Sequence, residues 1–256
     1  MTAHVVSDTT ALLGRSLKHI TRSVDTIITT AVTPIALMLL FVYVLGGAIH
    51  QGSGTAEYVN YVLPGILLIA IASGVAYTAL RLFTDLHSGI FERFQSMPIA
   101  RSSVLWAHVL TSLVSNAITV LLIVGVALLM GFRSSAGPLA WLGVVGILTL
   151  FTLALTWIAV IAGLSAKTVD GASGFSYPLI FLPFISSAFV PTATMPGPLR
   201  AFAENQPVTS IVNTISALLA ERTVVGSDIA TALAWCIGIL VVACAFAMVI
   251  YRRKIS

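Results

Sequence analysis

Six runs of this chain stay apolar for about twenty residues each, the length an α-helix needs to cross a hydrocarbon core of roughly 30 Å. They fall at 27–47, 59–80, 104–130, 138–163, 172–190 and 229–251. Lipid offers no partner to a backbone N–H or C=O, so a segment immersed in it must satisfy its own hydrogen bonds as a helix or join a closed barrel. The runs are continuously apolar and lack the alternation of an outer-membrane barrel, which leaves the helix. Hydrophobic residues make up 58% of the chain, and the mean hydropathy of +1.03 lies far from that of a soluble domain. The expected fold is an all-α, polytopic membrane protein of six transmembrane helices. Residues 1–256 form one transmembrane domain, with no soluble catalytic domain left over.

The charges give this bundle a direction. With six spans both termini lie on one side. That side then holds Arg15, Lys18, Arg22, Arg81, Arg93, Arg101, Lys167, Arg252, Arg253 and Lys254, ten of the thirteen basic residues. Arg133, Arg200 and Arg222 fall on the other. The acids divide almost evenly, five against four. A Lys/Arg bias without an acid bias is the form of the positive-inside rule, so both termini are expected in the cytoplasm. The net charge of +4 therefore reflects orientation in a membrane, and no nucleic-acid partner is expected.

Residues 8–26 precede the first span with a pattern of their own. Leu12, Leu13, Leu17, Ile20 and Val24 recur at steps of three and four, with Arg15, Lys18, His19 and Arg22 opposite. That spacing predicts an amphipathic helix in the cytoplasmic interface, its cations toward lipid headgroups. The first apolar run is longer than a signal peptide's core, so it is expected to be a span.

The longest stretch outside the spans is 191–228, expected outside the cell. It opens with turn residues, Pro191 to Met195-Pro196, and then reads Asn205-Gln206-Pro207. A polar residue before a proline is a helix start. From there Val208, Ile211, Val212, Ile215, Leu218 and Leu219 make one apolar face, too short to span. The segment predicts short or re-entrant helices between the fifth and sixth spans. Pro191, Met195, Pro196, Asn205, Gln206 and Pro207 are its candidate gate or lid residues.

Chemistry is conspicuously missing. None of Lys18, Lys167 and Lys254 follows a glycine, so no G-x-x-x-x-G-K phosphate loop exists. The five histidines share no metal-ligand spacing. Cys236 and Cys244 lie on one helix about 12 Å apart, too far to bridge. The acids are scattered rather than paired for acid/base work, so the chain is not expected to be an enzyme. No span carries the central Asp, Glu or Arg of an ion-coupled carrier. Driving force is expected from a partner acting on a cytoplasmic surface.

The surface for such a partner is the charged run between the second and third spans, 81–101. Only 9% of the chain is charged, yet Arg81, Asp85, Glu92, Arg93 and Arg101 gather here. In Asp85, Gly89, Glu92, Arg93, Phe94, Pro98 and Arg101 the run resembles the membrane subunits of type-2 ABC exporters, the ABC-2 permease family. There a loop of the form acidic…G-x-x-E-R-φ…P…R follows the second span. Pro191, Met195-Pro196 and Asn205-Gln206-Pro207 resemble the same family's outer segment. The wording F-V-P-T-A-T-M-P…N-Q-P-V-T is most similar to its drug-resistance branch, typified by daunorubicin exporters.

The resemblance implies that residues 84–95 form a coupling helix docking in a cleft of a separate ATP-binding subunit. Ile90, Phe91 and Phe94 then fill an apolar notch, and Glu92 and Arg93 fix the register. It implies an assembly of two permeases, identical or paralogous, with two ATP-binding subunits that use ATP and Mg; no cofactor is expected on this chain. The implied function is outward movement of amphiphiles (drugs, lipids or glycolipids) across a bacterial plasma membrane, surrounded by membrane lipids. Export of a polysaccharide or teichoic-acid polymer, or a non-transporting scaffold or sensor role, are the alternatives. Ser73, Tyr77, Phe175, Tyr177, Phe181 and Ser186 are the expected substrate-pathway residues, although aromatics at helical spacing also serve packing.

Overall fold

The computed structural model describes residues 24–46, 55–88, 101–220 and 226–255. The expected interfacial helix at 8–26 lies almost wholly outside them. Among the described residues every regular element is helical. Helix α1, Val24–Leu39, passes into a π-helical turn at Leu40–Leu45. Then come α2, Thr55–His87, α3, Arg101–Leu129, and α4, Pro138–Ser165. Four short helices follow: α5, Val169–Gly174, α6, Ser176–Phe181, α7, Gly197–Glu204, and α8, Pro207–Leu219. The last is α9, Gly226–Ile255.

Four stretches, Ala56–His87, Ser103–Leu129, Pro138–Ser165 and Asp228–Arg253, are long and apolar enough to cross a membrane. The first and fifth apolar runs form shorter helices, Thr30–Leu45 and Val169–Ile185. The fifth, expected over 172–190 with Pro178 and Pro183 interrupting it, is indeed broken, and its first break comes earlier, at Phe175. The chain leaves α4 at Ala166 in extended backbone, and the hydroxyl of Thr168 caps α5 by accepting from Gly171 N at 3.1 Å. Phe175 separates α5 from α6, and a 3-10 turn at Leu182–Ile185 ends the run. Gly171 and Gly174 are poor helix formers, and Pro178 and Pro183 lack an N–H, so no continuous ladder is available.

Helix α2 is the axis of the bundle. Val59, Val62, Leu63, Ile66, Leu68, Ile69, Val75, Ala79 and Leu82 are fully buried, with α1, α3, α4, α5 and α6 packed around it. The sequence closed this span at residue 80. The helix continues to His87, because Leu82 and Phe83 prolong its buried face, so Arg81 and Asp85 ride on helix rather than loop. At the opposite extreme, α9 packs chiefly on α4 and exposes Ile237, Val241, Val242, Phe246 and Val249. An aqueous surface of that kind is untenable; a lipid-facing one is ordinary.

Glycines set the closest helix approaches. A Cβ on Gly163 of α4 would lie 2.7 Å from the carbonyl oxygen of Ala79 on α2. One on Gly65 would lie 2.6 Å from Ala188 Cβ, in the turn after the broken run. Small residues at helix crossings do this work in membranes, where lipid is as apolar as leucine and contact must come from close packing. Helix α3 ends on Gly131, whose φ of +101° is left-handed. Phe132 N donates to Ala127 O at 2.9 Å and Gly131 N to Leu128 O at 3.2 Å, closing a Schellman motif.

The bundle thus has two ends. At one, Leu82, Leu105, Trp157, Leu164, Ala247 and Tyr251 form a compact cluster beneath the 89–100 connection. At the far end, Tyr58, Phe132 and Leu219 belong to the main core, and the outer helices α7 and α8 follow the broken run. Helix α7 has no counterpart in the sequence expectation; Pro198 in its first turn is a helix-start signal hidden among turn residues. Helix α8 begins at Pro207 as expected, with Val208, Ile211, Val212, Ile215 and Leu219 buried.

Candidate functional site

The connection between α2 and α3 stands on a brace. Asp85, in the last turn of α2, meets His108, two turns into α3, with Oδ2 to Nε2 at 3.3 Å. One turn on, His87 donates from Nδ1 to Phe83 O at 2.8 Å, and its ring lies 4.1 Å from that of Phe83. The Ser88 amide closes the helix on Thr84 O at 2.9 Å. Of these contacts the Asp85–His108 pair joins α2 to α3, while the others close the end of α2 on itself. Gly89, Ile90, Phe91, Glu92, Arg93, Phe94 and Pro98 lie outside the described residues; the backbone of Arg101 opens α3.

A seam of hydroxyl and amide groups runs up the bundle from this brace. The Ser112 and Thr156 hydroxyls meet at 3.1 Å, joining α3 to α4. Asn116, 3% exposed, donates from Nδ2 to Ser112 O at 2.9 Å. Its Oδ1 faces Gly74, where a Cβ would stand only 2.2 Å away. The glycine Cα–H therefore points at that oxygen, a weak hydrogen bond of the kind that recurs at close helix crossings. Sequence reasoning passed over Ser112, Asn116 and Thr156. The available signal was Asn116 itself, an amide in an apolar run, with Ser112 one turn before it on the same face.

Of the expected pathway residues, Tyr77 lines a niche at the foot of this seam with Thr30 and Arg81. Ser73 bonds back to Ile69 O at 2.9 Å. The others scatter. Phe175 packs on the core, and Tyr177 and Phe181 are exposed. Ser186 is buried, giving its hydroxyl to Pro183 O at 2.6 Å and accepting from Ala188 N at 3.1 Å. It terminates the broken run, so the six residues do not share one surface.

The outer residues converge more closely. When a helix stops at depth its last carbonyls are left without partners. Here side chains from other elements supply them. Gln206, 4% exposed, donates from Nε2 to Ile185 O, with Leu182 O 3.5 Å from the same atom. Tyr61 of α2 donates to Ser187 O at 3.0 Å, and the Ser187 hydroxyl donates to Asn213 Oδ1 at 2.6 Å. Pro191 O accepts from Thr194 N, Met195 N closes on Thr192 O, and Pro196 O accepts the first-turn bond of Arg200. Asn205 donates to Ala201 O at 2.8 Å. Gln206 and Pro207 thus tie α8 to the end of the broken run.

Among the described residues no three of His, Cys, Asp and Glu converge as metal ligands would. Between α4 and α9 lies a concavity of about 880 Å³, lined by apolar residues such as Ile158, Ala234, Ile239 and Phe246. What remains is a helical membrane body with a braced connection at one end and a tied, broken helix at the other. The family model of the ABC-2 type transporter matches residues 7–220.

The chain belongs to that family. Within the ABC-2 type transporters it is similar to the daunorubicin resistance ABC transporter permease protein of Streptomyces coeruleorubidus, 30% identical over 256 residues, 98% of this chain and 88% of the relative. The probable doxorubicin resistance ABC transporter permease protein of two Mycobacterium tuberculosis strains is 28% identical over 254 residues, 98% of this chain and 90% of the relative. The match extends along the whole bundle. A multi-pass helical membrane protein of bacterial type is what the sequence led one to expect.

Proposed function

We propose that this chain is the permease subunit of an ATP-driven exporter that moves amphiphilic molecules outward, powered by a separate ATP-binding subunit. The brace between Asp85 and His108 is the observation that carries the reading. A connection joined to two long helices through a fixed base can turn a push from outside the membrane into movement of α2 and α3 together. The relatives' names, drug-resistance permeases, support the class of passenger, and the lack of a phosphate loop requires that ATP and Mg be handled elsewhere. On this reading all six apolar runs cross the membrane, α1 and the α5–α6 run included, with both termini and the 89–100 connection in the cytoplasm. Contacts at both ends of α1 agree with this: Thr30 shares a niche with Arg81, while Gly46 lies against Tyr58. Two permeases, copies or paralogues, pair with two ATP-binding subunits. Gly89, Glu92, Arg93, Phe94 and Pro98 shape the docking element, and the Gln206 tie closes the outer side.

The test is transport. In liposomes holding the permease with its ATP-binding subunit, Glu92→Ala and Arg93→Ala are expected to lower ATP-dependent daunorubicin movement at least tenfold, since a buried charge pair lost at an interface costs more than about 1.4 kcal/mol. Membrane insertion should be unchanged. Full transport by both variants would sink the coupling assignment.

A further inference from the structure

We propose that the niche between α1, α2 and α3 binds one anionic oxygen, phosphate or carboxylate, from the head of a membrane amphiphile, with Arg81 as its counter-charge. The inference rests on the niche alone and holds whether or not the exporter reading does. The niche is lined by Thr30 of α1, Tyr77, Thr78 and Arg81 of α2, and Ser115 and Thr119 of α3. Its cavity is about 20 Å³, room for one oxygen-sized group.

Three observations select the ligand. First, Arg81 is half-buried, and among the described residues its guanidinium has neither an ion pair nor a hydrogen bond. The nearest acid, Asp85, lies one turn further along α2; it contacts His108 at 3.3 Å and acts on Arg81 through its charge without a direct bond. A guanidinium withdrawn from water requires an acceptor, and bidentate oxygen is its best one. Second, the surroundings donate. The Ser115 hydroxyl is buried with no partner among the described residues, while the one orphan acceptor, Asn116 Oδ1, is turned toward the Cα–H of Gly74. Ser115 thus offers the niche a second donor beside Arg81. Third, the depth fits a headgroup. Arg81 stands six residues before the end of α2 at His87, about 9 Å at 1.5 Å per residue, just beneath a headgroup layer some 5–7 Å thick. An arginine at that depth on the lipid face would snorkel outward. Arg81 is instead turned among three helices, which makes its partner a specific one.

The experiment uses the purified full chain in nanodiscs. In one arm the discs are phosphatidylcholine with or without phosphatidylglycerol, and lipid retained by the protein is read by native mass spectrometry. In the other, dodecyl phosphate is titrated into the phosphatidylglycerol-containing discs, and its displacement of retained lipid is read the same way. Arg81→Gln is expected to weaken anionic-head binding about tenfold, the value of one charge-assisted hydrogen bond. Arg81→Lys should retain part of it, and Arg252→Gln, a cation removed from the exposed end of α9, should bind as wild type. Retained phosphatidylglycerol that dodecyl phosphate does not displace identifies a resident lipid. Dodecyl phosphate that displaces it identifies a passenger head; both outcomes support the site. Equal binding by wild type and Arg81→Gln overturns it, as does an equal loss in Arg252→Gln. If Arg81→Gln does not fold, Ser115→Ala removes a donor without removing charge. A two- to threefold loss is then expected, and unchanged binding overturns the proposal.

Discussion

The two ends of the bundle are held by different chemistry. At the end nearest the α2–α3 connection the fastening is a carboxylate–imidazole contact and an aromatic one: Asp85 with His108, and Trp106 edge-on to Trp157 at 5.4 Å. At the far end an exposed Arg200–Glu204 pair, 2.7 Å, lies within α7, but the ties that join the long helices to their neighbours are neutral and mostly side chain to backbone. Asn60 exchanges two bonds with the backbone of Arg133, at 2.9 and 3.2 Å. Ser134 donates to Leu219 O at 2.8 Å, Thr214 to Asp228 O at 3.3 Å, and Gln206 to Ile185 O. The difference follows from what each end must satisfy. Long helices that run to their natural ends leave their final carbonyls to water, so the connection end needs only to be aligned. A helix broken at depth leaves carbonyls that water cannot reach, so the far end needs donors brought to it.

Substitutions should expose that difference. The largest effect is expected where backbone meets backbone. Gly163→Ala drives a methyl into the Ala79 carbonyl, and α2 cannot give way without moving the core, so a loss of about 3 kcal/mol is expected. Gly65→Ala meets the Ala188 methyl in a turn that can shift, and should cost about 1 kcal/mol. Thermal unfolding in nanodiscs measures both, and a larger loss for Gly65→Ala would reverse the ranking of the two ends. Next comes Gln206→Leu, which keeps the volume but leaves the Ile185 carbonyl buried without its donor. A loss of about 2 kcal/mol is expected, with new protease cleavage between 186 and 206. An uncut, fully stable variant would mean that this tie is dispensable. The smallest effect on stability belongs to Asp85→Asn. The pair is partly exposed, with Asp85 at 34% and His108 at 13%, so about 0.5 kcal/mol or less is expected. ATP-dependent transport should nonetheless fall severalfold while ATP hydrolysis continues, which would show the brace transmitting force rather than supporting the fold.

Much of this architecture was legible in the sequence because lipid leaves few choices. Runs of twenty apolar residues become helices, and the helix at Pro207 was written in Asn205-Gln206-Pro207 and the apolar spacing after it. What escaped was whatever depends on distant partners. That Pro178 and Pro183 interrupt the fifth run was legible; that its first break falls at Phe175, after Gly171 and Gly174, was not. The extension of α2 to His87 escaped because charge on a helix end looks like loop until Leu82 and Phe83 find their cluster. Tyr177 and Phe181 were expected to face a pathway with Ser73; their aromatic character carries no information about which face they occupy. The crossing of Gly74 with Asn116 joins residues far apart in the chain, and no local pattern foretells it.

The neutrality of the amide ties at the far end has an electrical consequence. A charge carried across a membrane at 100 mV gains or loses about 2.3 kcal/mol, whereas an amide that lets go of a carbonyl carries none. Parting Gln206 from Ile185, or Asn60 from Arg133, rotates dipoles and moves no ion through the field. On the proposed reading, release of these ties alone would cost the same in a polarised cell as in a depolarised one.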